Sequence, residues 1–367
     1  MKGKIIIIGN EILNGFTEDV NANFLIKILS KNNVSIENVV FIKDDINSII
    51  CELENTNLVD YVFITGGLGP TSDDLTTKAL SIYFNNKKYK KINNSIGTAS
   101  GLWYTKNNTN YFSLPGVPSE MKLMIVDIVS LIFKKKSAKK FFFQVNTIGI
   151  IERKLSSLLV DFEKELPESC KMSYLPDNNI VKLRFYDSTG SINLFSDLNL
   201  KLKKIIGNHI FSYDQEPLEQ RIVFELIKKK IKIAISESCT GGQVSKMITS
   251  IPGSSKVFLG SIVAYSEKVK KGILRVKPET IINYTAVSEQ VVIEMAQSVR
   301  MKFNSDFGLA TSGYMGPFDK NTDKIAWVCV ASGNKVITKK INLKSNRGNN
   351  ILITARIVLN ELRKEIL

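Results

Sequence analysis

The stretch Ile231-Lys232-Ile233-Ala234-Ile235-Ser236-Glu237-Ser238-Cys239-Thr240-Gly241-Gly242 decides how the carboxyl-terminal part of this chain folds. The isoleucines and alanine up to Ser236 read as a buried strand, and an amphipathic segment after the glycine pair reads as a helix through Ile248. A strand that runs through a glycine turn into a helix presents free backbone N–H groups at the positive end of a helix dipole, which suits a phosphate or carboxylate. Taken alone, the same turn serves equally well as a tight connection.

Outward from this stretch, elements alternate. A helix over about 218–229 precedes it, and 258–265 reads as a second strand. A helix over 288–302, a strand over 307–311, a hairpin of 325–331 and 336–341 over Gly333-Asn334, and a closing amphipathic helix over 351–367 follow. The first third has the same character. Strands over 4–8, 39–42 and 59–65 are separated by helices over 20–29 and 46–53, a βαβαβ pattern with a parallel sheet. Gly66-Gly67-Leu68-Gly69-Pro70 closes its third strand, and Thr71-Ser72-Asp73-Asp74 offers caps to a helix from Leu75, at the strand ends where open α/β sheets bind ligands. A basic stretch, Lys134 to Lys140, sets a boundary. Beyond it, 141–212 reads as a small α+β module with a strand beginning at Phe141-Phe142-Phe143, a helix over 151–162, a strand over 181–186 and a helix over 194–206.

With 367 residues, two or three domains are expected. Apolar residues at 44% and charged residues at 23% exclude disorder and fibrous architecture. The net charge of +15 comes from lysines scattered among Asn and Ile, a solvated surface rather than a nucleic-acid groove, although such a surface attracts anionic nucleotides. Four well-separated cysteines, Cys51, Cys170, Cys239 and Cys329, fit neither a zinc site nor a disulfide framework and suggest reduced thiols in a cytoplasm. No apolar run reaches membrane-span length, and Ile5 to Ile8 is too short for a signal core. The single histidine, His209, excludes a His-rich metal site and would have to serve alone in any Ser-His or Cys-His pair.

Two ordered motif sets resemble the CinA family. In the carboxyl-terminal part these are Glu237-Ser238-Cys239-Thr240-Gly241-Gly242, Pro252-Gly253-Ser254-Ser255, Ala264-Tyr265-Ser266 with Lys270, and Ala286-Val287-Ser288-Glu289. In the amino-terminal part they are Gly9-Asn10-Glu11-Ile12-Leu13-Asn14-Gly15, Asn21-Ala22, Thr65 to Thr76, and Leu114-Pro115-Gly116-Val117-Pro118-Ser119-Glu120-Met121. The resemblance implies an α/β chain of three parts: a molybdopterin-binding-like (MoaB/MogA-like) three-layer domain at 1–138, a small α+β domain at 139–215, and a CinA deamidase domain at 216–367.

It further implies hydrolytic deamidation of nicotinamide mononucleotide to nicotinate mononucleotide and ammonia, a step of pyridine nucleotide salvage, by a cytoplasmic homodimer or higher homo-oligomer. Ser255 falls on the nucleophile, with Lys270 and Tyr265 as its activating partners. Ser238, Thr240, Gly241, Gly242, Ser254 and Arg347 fall in the substrate pocket. That chemistry needs no cofactor, because a desolvated lysine can act as the base that activates a serine. In the amino-terminal domain, Gly66, Gly67, Gly69, Thr71, Asp73, Asp74, Gly116 and Glu120 form the expected nucleotide or phosphate site. There Asp74 is the metal ligand for a Mg²⁺-type ion and ADP-ribose a second substrate, through pyrophosphatase activity.

Alternatives are that only the amino-terminal domain turns over, as a nucleotide pyrophosphatase, or that the chain binds nucleotides without catalysis. Neither nucleic acid nor membrane is an expected partner. The sequence departs from the family pattern at Asn10, usually Asp, in the short segment 83–93, and at Tyr314, Met315 and Trp327, bulky residues near the expected pocket.

Overall fold

A computed structural model describes residues 1–56, 58–69, 75–133, 142–316 and 324–367. The chain divides into two compact units, Met1–Lys139 and Lys140–Leu367.

The first unit is built on β1 (Lys2–Ile8), β2 (Ser35–Ile42), β3 (Tyr61–Thr65), β4 (Lys90–Ile92), β5 (Gly101–Lys106) and β6 (Thr109–Leu114), in the order β2-β1-β3-β6-β5-β4. The first four strands of that order run parallel, as the βαβαβ pattern predicts, and β5 and β4 add an antiparallel edge. Its helices are α1 (Asn10–Leu13), α2 (Asn21–Lys31), α3 (Ile46–Glu54), α4 (Thr76–Tyr83) and α5 (Pro118–Ile132). Alternation along β1 sorts the layers. Ile5 and Ile7 pack with Leu25, Leu29, Met121 and Ile125 of α2 and α5, whereas Ile6 and Ile8 pack with Ile49, Leu53, Ala79 and Leu80 of α3 and α4. The capping expected from Thr71 to Asp74 lies outside the described residues; α4 opens at Leu75 without a side-chain cap.

At the carboxyl end of β3 the chain turns so tightly that a Cβ on Gly66, whose φ is +109°, would lie 2.0 Å from the Ile8 carbonyl oxygen. Gly66→Ala is therefore expected to lower stability by about 1–3 kcal/mol, read from the chemical denaturation midpoint. A change below about 0.5 kcal/mol would mean that the loop has an alternative path.

The second unit contains two sheets. Strands β7 (Phe142–Ile148), β8 (Cys170–Asp177), β9 (Ile180–Asp187) and β10 (Ile210–Tyr213) form an antiparallel sheet in the order β10-β7-β9-β8, covered by α6 (Glu152–Lys164) and α7 (Ile192–Ile206). Strands β8 and β10 were not expected from the sequence. β8 carries Pro176 and alternates polar residues on a half-exposed edge, and β10 has four residues. The turn between β8 and β9 is Asn178-Asn179, both with positive φ.

The other sheet comprises β11 (Ile233–Glu237), β12 (Phe258–Val263), β13 (Phe307–Gly313), β14 (Ile325–Ala331) and β15 (Val336–Asn342), in the order β12-β11-β13-β14-β15. Strands β12, β11 and β13 are parallel, and β14 and β15 are antiparallel. The helices are α8 (Leu218–Lys229), α9 (Gln243–Thr249), α10 (Glu267–Gly272), α11 (Pro278–Tyr284), α12 (Glu289–Phe303) and α13 (Arg347–Ile366). Ile233 and Ile235 face α8, α9 and α13; Ala234, Ala310 and Ala331 face α12. Those small residues admit α12 closely, and a Cβ on Gly308 would stand 2.1 Å from the Ala296 carbonyl oxygen. Helix α13 starts four residues earlier than its apolar pattern suggests, because Asn346 caps a polar first turn by accepting from the Asn349 N–H at 2.9 Å.

The four-stranded sheet shares a core with this domain through Ile148, Ile180 and Phe211. Arg356 of α13 donates to the Asp177 and Asn178 carbonyls, and Arg363 to those of Ile210 and Asn208. Among the described residues no helix is long and apolar enough to cross a membrane.

Candidate functional site

β11 delivers Glu237 into the interior, 0% exposed, at the start of the glycine turn. Its carboxylate accepts five hydrogen bonds. Oε2 receives the Thr240 hydroxyl at 2.7 Å and the Gly242 and Val244 N–H groups at 2.9 and 3.1 Å; Oε1 receives the Ser245 N–H and hydroxyl at 2.9 and 2.6 Å. The donors at the start of α9, which the sequence suggested for an external anion, are thus partly taken by the chain's own carboxylate. Gly241 and Gly242 both have positive φ, and Thr240 Oγ1 also lies 2.7 Å from Thr311 Oγ1 on β13.

This turn holds Ser238 beside Lys270. The lysine, at the last turn of α10, is 3% exposed and donates from Nζ to Ser238 Oγ at 2.8 Å and to the Ala264 carbonyl at 3.1 Å. Burial lowers its pKa below the ordinary lysine value, opposed by the thiol of Cys239 and the carboxylate of Glu267. The Glu267 carboxylate instead pairs with Lys271 at 3.2 Å. A buried amine with a lowered pKa, set against a serine hydroxyl, has the geometry of a proton-transfer pair.

Tyr265 stands at the mouth of this region, 62% exposed, and its hydroxyl accepts from Arg347 Nη2 at 2.9 Å; Arg347 Nη1 donates to the Gly316 carbonyl at 2.9 Å. The guanidinium is thus fixed at the start of α13, in reach of an anion arriving from solvent. Of the three bulky departures, Met315 is a core residue, 2% exposed, whose carbonyl accepts from Asn350 Nδ2 at 3.0 Å. Trp327 packs with the α12 side of the sheet, and Tyr314 is 37% exposed.

Ser254 and Ser255 lie elsewhere. They form a single 3-10 turn with Lys256 before β12, at the amino-terminal edge of the sheet, whereas Ser238, Tyr265 and Lys270 gather at its carboxyl edge. Ser255 is exposed and its hydroxyl makes no hydrogen bond among the described residues. The Ser254 N–H is used within the turn, donating to Ile251. Burial pushes the Cys239 thiol up to about 12, which leaves it almost wholly protonated and a poor nucleophile. His209 Nδ1 lies 3.2 Å from the Ile148 carbonyl, a structural contact.

In the first unit, Gly66, Gly67, Gly69, Gly116 and Glu120 border one cavity of about 470 Å³ with Glu11, Asn21, Asp44 and Thr65. Asn21 donates to Thr65 Oγ1 and to the Gly116 carbonyl, and Glu120 accepts from Asn94, which in turn holds the loop at Gly97. The described lining residues carry carboxylates and no lysine or arginine. Thr71, Asp73 and Asp74 lie outside the described residues. Asn10 is absent from the lining and accepts from the Asp44 N–H at 3.4 Å.

A family model described as "CinA C-terminal domain" matches residues 215–366, and one described as "Probable molybdopterin binding domain" matches 4–135. A CinA-like protein from Amoebophilus asiaticus is 33% identical over 413 aligned positions, covering 100% of this chain and 99% of its own length. The chain belongs to the CinA family. A second CinA-like protein, from Flavobacterium psychrophilum, is also 33% identical with the same coverage. The crystal structure of a CinA superfamily protein from Enterobacter cloacae is 29% identical, with a TM-score of 0.39, and covers 41% of this chain and 90% of its own.

For this CinA-family chain, sequence reasoning did not single out Glu237, Thr311, Glu11, Asn21 or Asp44. A signal for Glu237 was available: a carboxylate at a strand end, directly before a glycine turn and a helix start, is where helix N–H donors need an acceptor. Asp44 carries no such local signal, since the sheet alone brings it to the loop after β3, and Asn21 is marked only by its place in the Asn21-Ala22 motif.

Proposed function

We propose that the carboxyl-terminal domain deamidates nicotinamide mononucleotide, releasing ammonia and nicotinate mononucleotide. The observation that carries this reading is Lys270, buried to 3% exposure with Nζ 2.8 Å from a serine hydroxyl at the open edge of a parallel sheet. Family membership supports it, as does the fixed guanidinium of Arg347, a partner for the ribose phosphate. Lys270 in its neutral form takes the proton of a serine hydroxyl as that oxygen attacks the carboxamide carbon. The resulting ammonium returns a proton to the departing nitrogen, and water hydrolyses the ester. Two serines answer to the nucleophile: Ser255, to which the resemblance points, and Ser238, which lies on Lys270 within the chain.

A second reading, hydrolysis of a nucleotide diphosphate such as ADP-ribose in the first unit, has the 470 Å³ cavity at the loop after β3 as its candidate site, although the described lining offers carboxylates and no cationic side chain. Among the described residues no group of three or more His, Cys, Asp or Glu side chains is placed to hold a metal ion.

One panel separates these readings: ammonia release from pyridine nucleotides, and phosphate-ester products from ADP-ribose, each with added Mg²⁺ or with chelator. Chelator-resistant ammonia release from nicotinamide mononucleotide is the expected result. Absence of ammonia from every pyridine nucleotide would overturn the deamidase reading.

A further inference from the structure

A second cavity, of about 410 Å³, lies in the second unit where α7, β10 and the first turn of α8 come together. It shares no residue with the Ser238–Lys270 site, and its volume is in the range of small-molecule sites. Lys203 and Gly207 border it from the end of α7, Phe211 and Tyr213 from β10, Glu216 from the turn that follows, and Arg221 from α8.

The turn from β10 to α8 is tightly held. Asp214 has a φ of +53°, and its carbonyl accepts from the side-chain amides of Gln144 and Asn146. Ser212 Oγ donates to the Glu216 carbonyl at 2.6 Å and accepts from Asn146 Nδ2 at 2.9 Å, so this hydroxyl is fully occupied.

Three other polar groups on the wall have no such partners. The Tyr213 hydroxyl is buried and makes no hydrogen bond among the described residues. A hydroxyl in that position loses its hydration for nothing in return unless something outside the chain pairs with it. Lys203 is exposed and makes no ion pair among the described residues; its Nζ lies 5.8 Å from the centre of the Tyr213 ring. The Glu216 carboxylate accepts no hydrogen bond among the described residues, and burial raises its pKa, with Arg221 opposing the rise. Arg221 itself pairs with Glu225 through Nη2 at 3.1 Å, which leaves further N–H groups for another acceptor.

These groups narrow the chemistry of a ligand. An apolar molecule would leave all of them unpaired, and a bare anion would leave Glu216 unpaired and repelled. A lysine, a guanidinium and a phenol together supply donors for the three oxygens of a phosphate monoester, and a carboxylate accepts from a pair of sugar hydroxyls. We propose that this cavity binds a monophosphorylated sugar, free or within a mononucleotide, with its phosphate on Lys203, Arg221 and the Tyr213 hydroxyl and its hydroxyls on Glu216.

The test is calorimetric binding to the full-length chain of ribose 5-phosphate, AMP and inorganic phosphate, in the wild type and in Lys203→Glu, Tyr213→Phe and Arg347→Ala. Saturable binding of a sugar phosphate, at least about tenfold tighter than inorganic phosphate, is the expected result, since the hydroxyl pair adds charge-assisted bonds to Glu216. Equal affinity for ribose 5-phosphate and AMP assigns the site to the sugar phosphate itself, and tighter binding of AMP assigns it to mononucleotides. Lys203→Glu, on an exposed position that leaves the fold intact, is expected to weaken binding about tenfold or more.

Tyr213→Phe separates a ligand site from a structural contact. It is expected to weaken binding about three- to tenfold while leaving the melting temperature of the free chain unchanged or higher, because the hydroxyl has no partner within the chain to lose. A lower melting temperature in this variant would show the hydroxyl already paired and overturn its role. Absence of binding by both sugar phosphates overturns the proposal, as does inorganic phosphate binding as tightly as they do. Binding that survives Lys203→Glu and Tyr213→Phe but is lost in Arg347→Ala also overturns it, by placing the ligand at the Ser238–Lys270 site.

Discussion

Lys270→Met is expected to lower kcat/KM for the proposed deamidation of nicotinamide mononucleotide by about 10²- to 10⁴-fold, the range for loss of a positioned proton-transfer group. Methionine keeps the unbranched shape that fills the space under Ala264 but cannot hold a proton. The wild-type rate should rise with pH through the lysine's pKa, and because burial lowers that pKa the acid limb falls below the ordinary lysine range. The variant's residual rate should lack that limb.

Stability should move little. Between its folded and unfolded pKa values Lys270 binds fewer protons folded than unfolded, so its contribution to stability rises with pH across that window. Below the window the full penalty of a buried ammonium stands, and methionine removes it. Against this, Ser238 Oγ and the Ala264 carbonyl lose a donor. The opposing effects leave the variant within about 2 kcal/mol of wild type by urea denaturation. Undiminished ammonia release from the variant would take Lys270 out of the chemistry.

Glu237→Ala has the largest expected effect on stability. The carboxylate is wholly buried and accepts from Thr240, Gly242, Val244 and twice from Ser245. Removing it strands donors in the interior, at about 1–3 kcal/mol for each that water cannot reach. Allowing for water entry, a loss of about 3–5 kcal/mol is expected, measured as the shift in denaturation free energy of the second unit. Glu237→Gln keeps one acceptor oxygen but turns an N–H₂ towards other donors, so it should recover only part of that loss. Deamidation should fall with stability, because the turn that holds Ser238 on Lys270 is shaped by this carboxylate. A fall of less than about 1 kcal/mol in Glu237→Ala would mean that water or a rearranged turn satisfies those donors.

The sequence alone determined the layers. Four consecutive isoleucines, Ile5 to Ile8, alternate between two helical faces, and the period of two in Ile233, Ala234 and Ile235 separates large residues from the small ones that admit α12. Such patterns are local, so they can be read without coordinates. Half-exposed or very short strands could not, since β8 and β10 are defined by their neighbours rather than by their own apolar content. The motif residues were legible as types: a serine-rich turn, a lysine, a tyrosine, a glycine pair.

Which of them meet was decided by tertiary structure. Parallel pairing of β11 and β12 carries Ser238 and Lys270 to one edge of the sheet and leaves Ser255 at the other, although Ser255 is nearer to Lys270 in sequence than Ser238 is. A strand between two residues fixes them apart by its length, whereas residues beyond the ends of adjacent parallel strands are brought side by side. The burial that lowers the lysine's pKa likewise comes from segments that only the folded sheet brings together, whereas the donors on Glu237 all come from the turn and helix start that directly follow it.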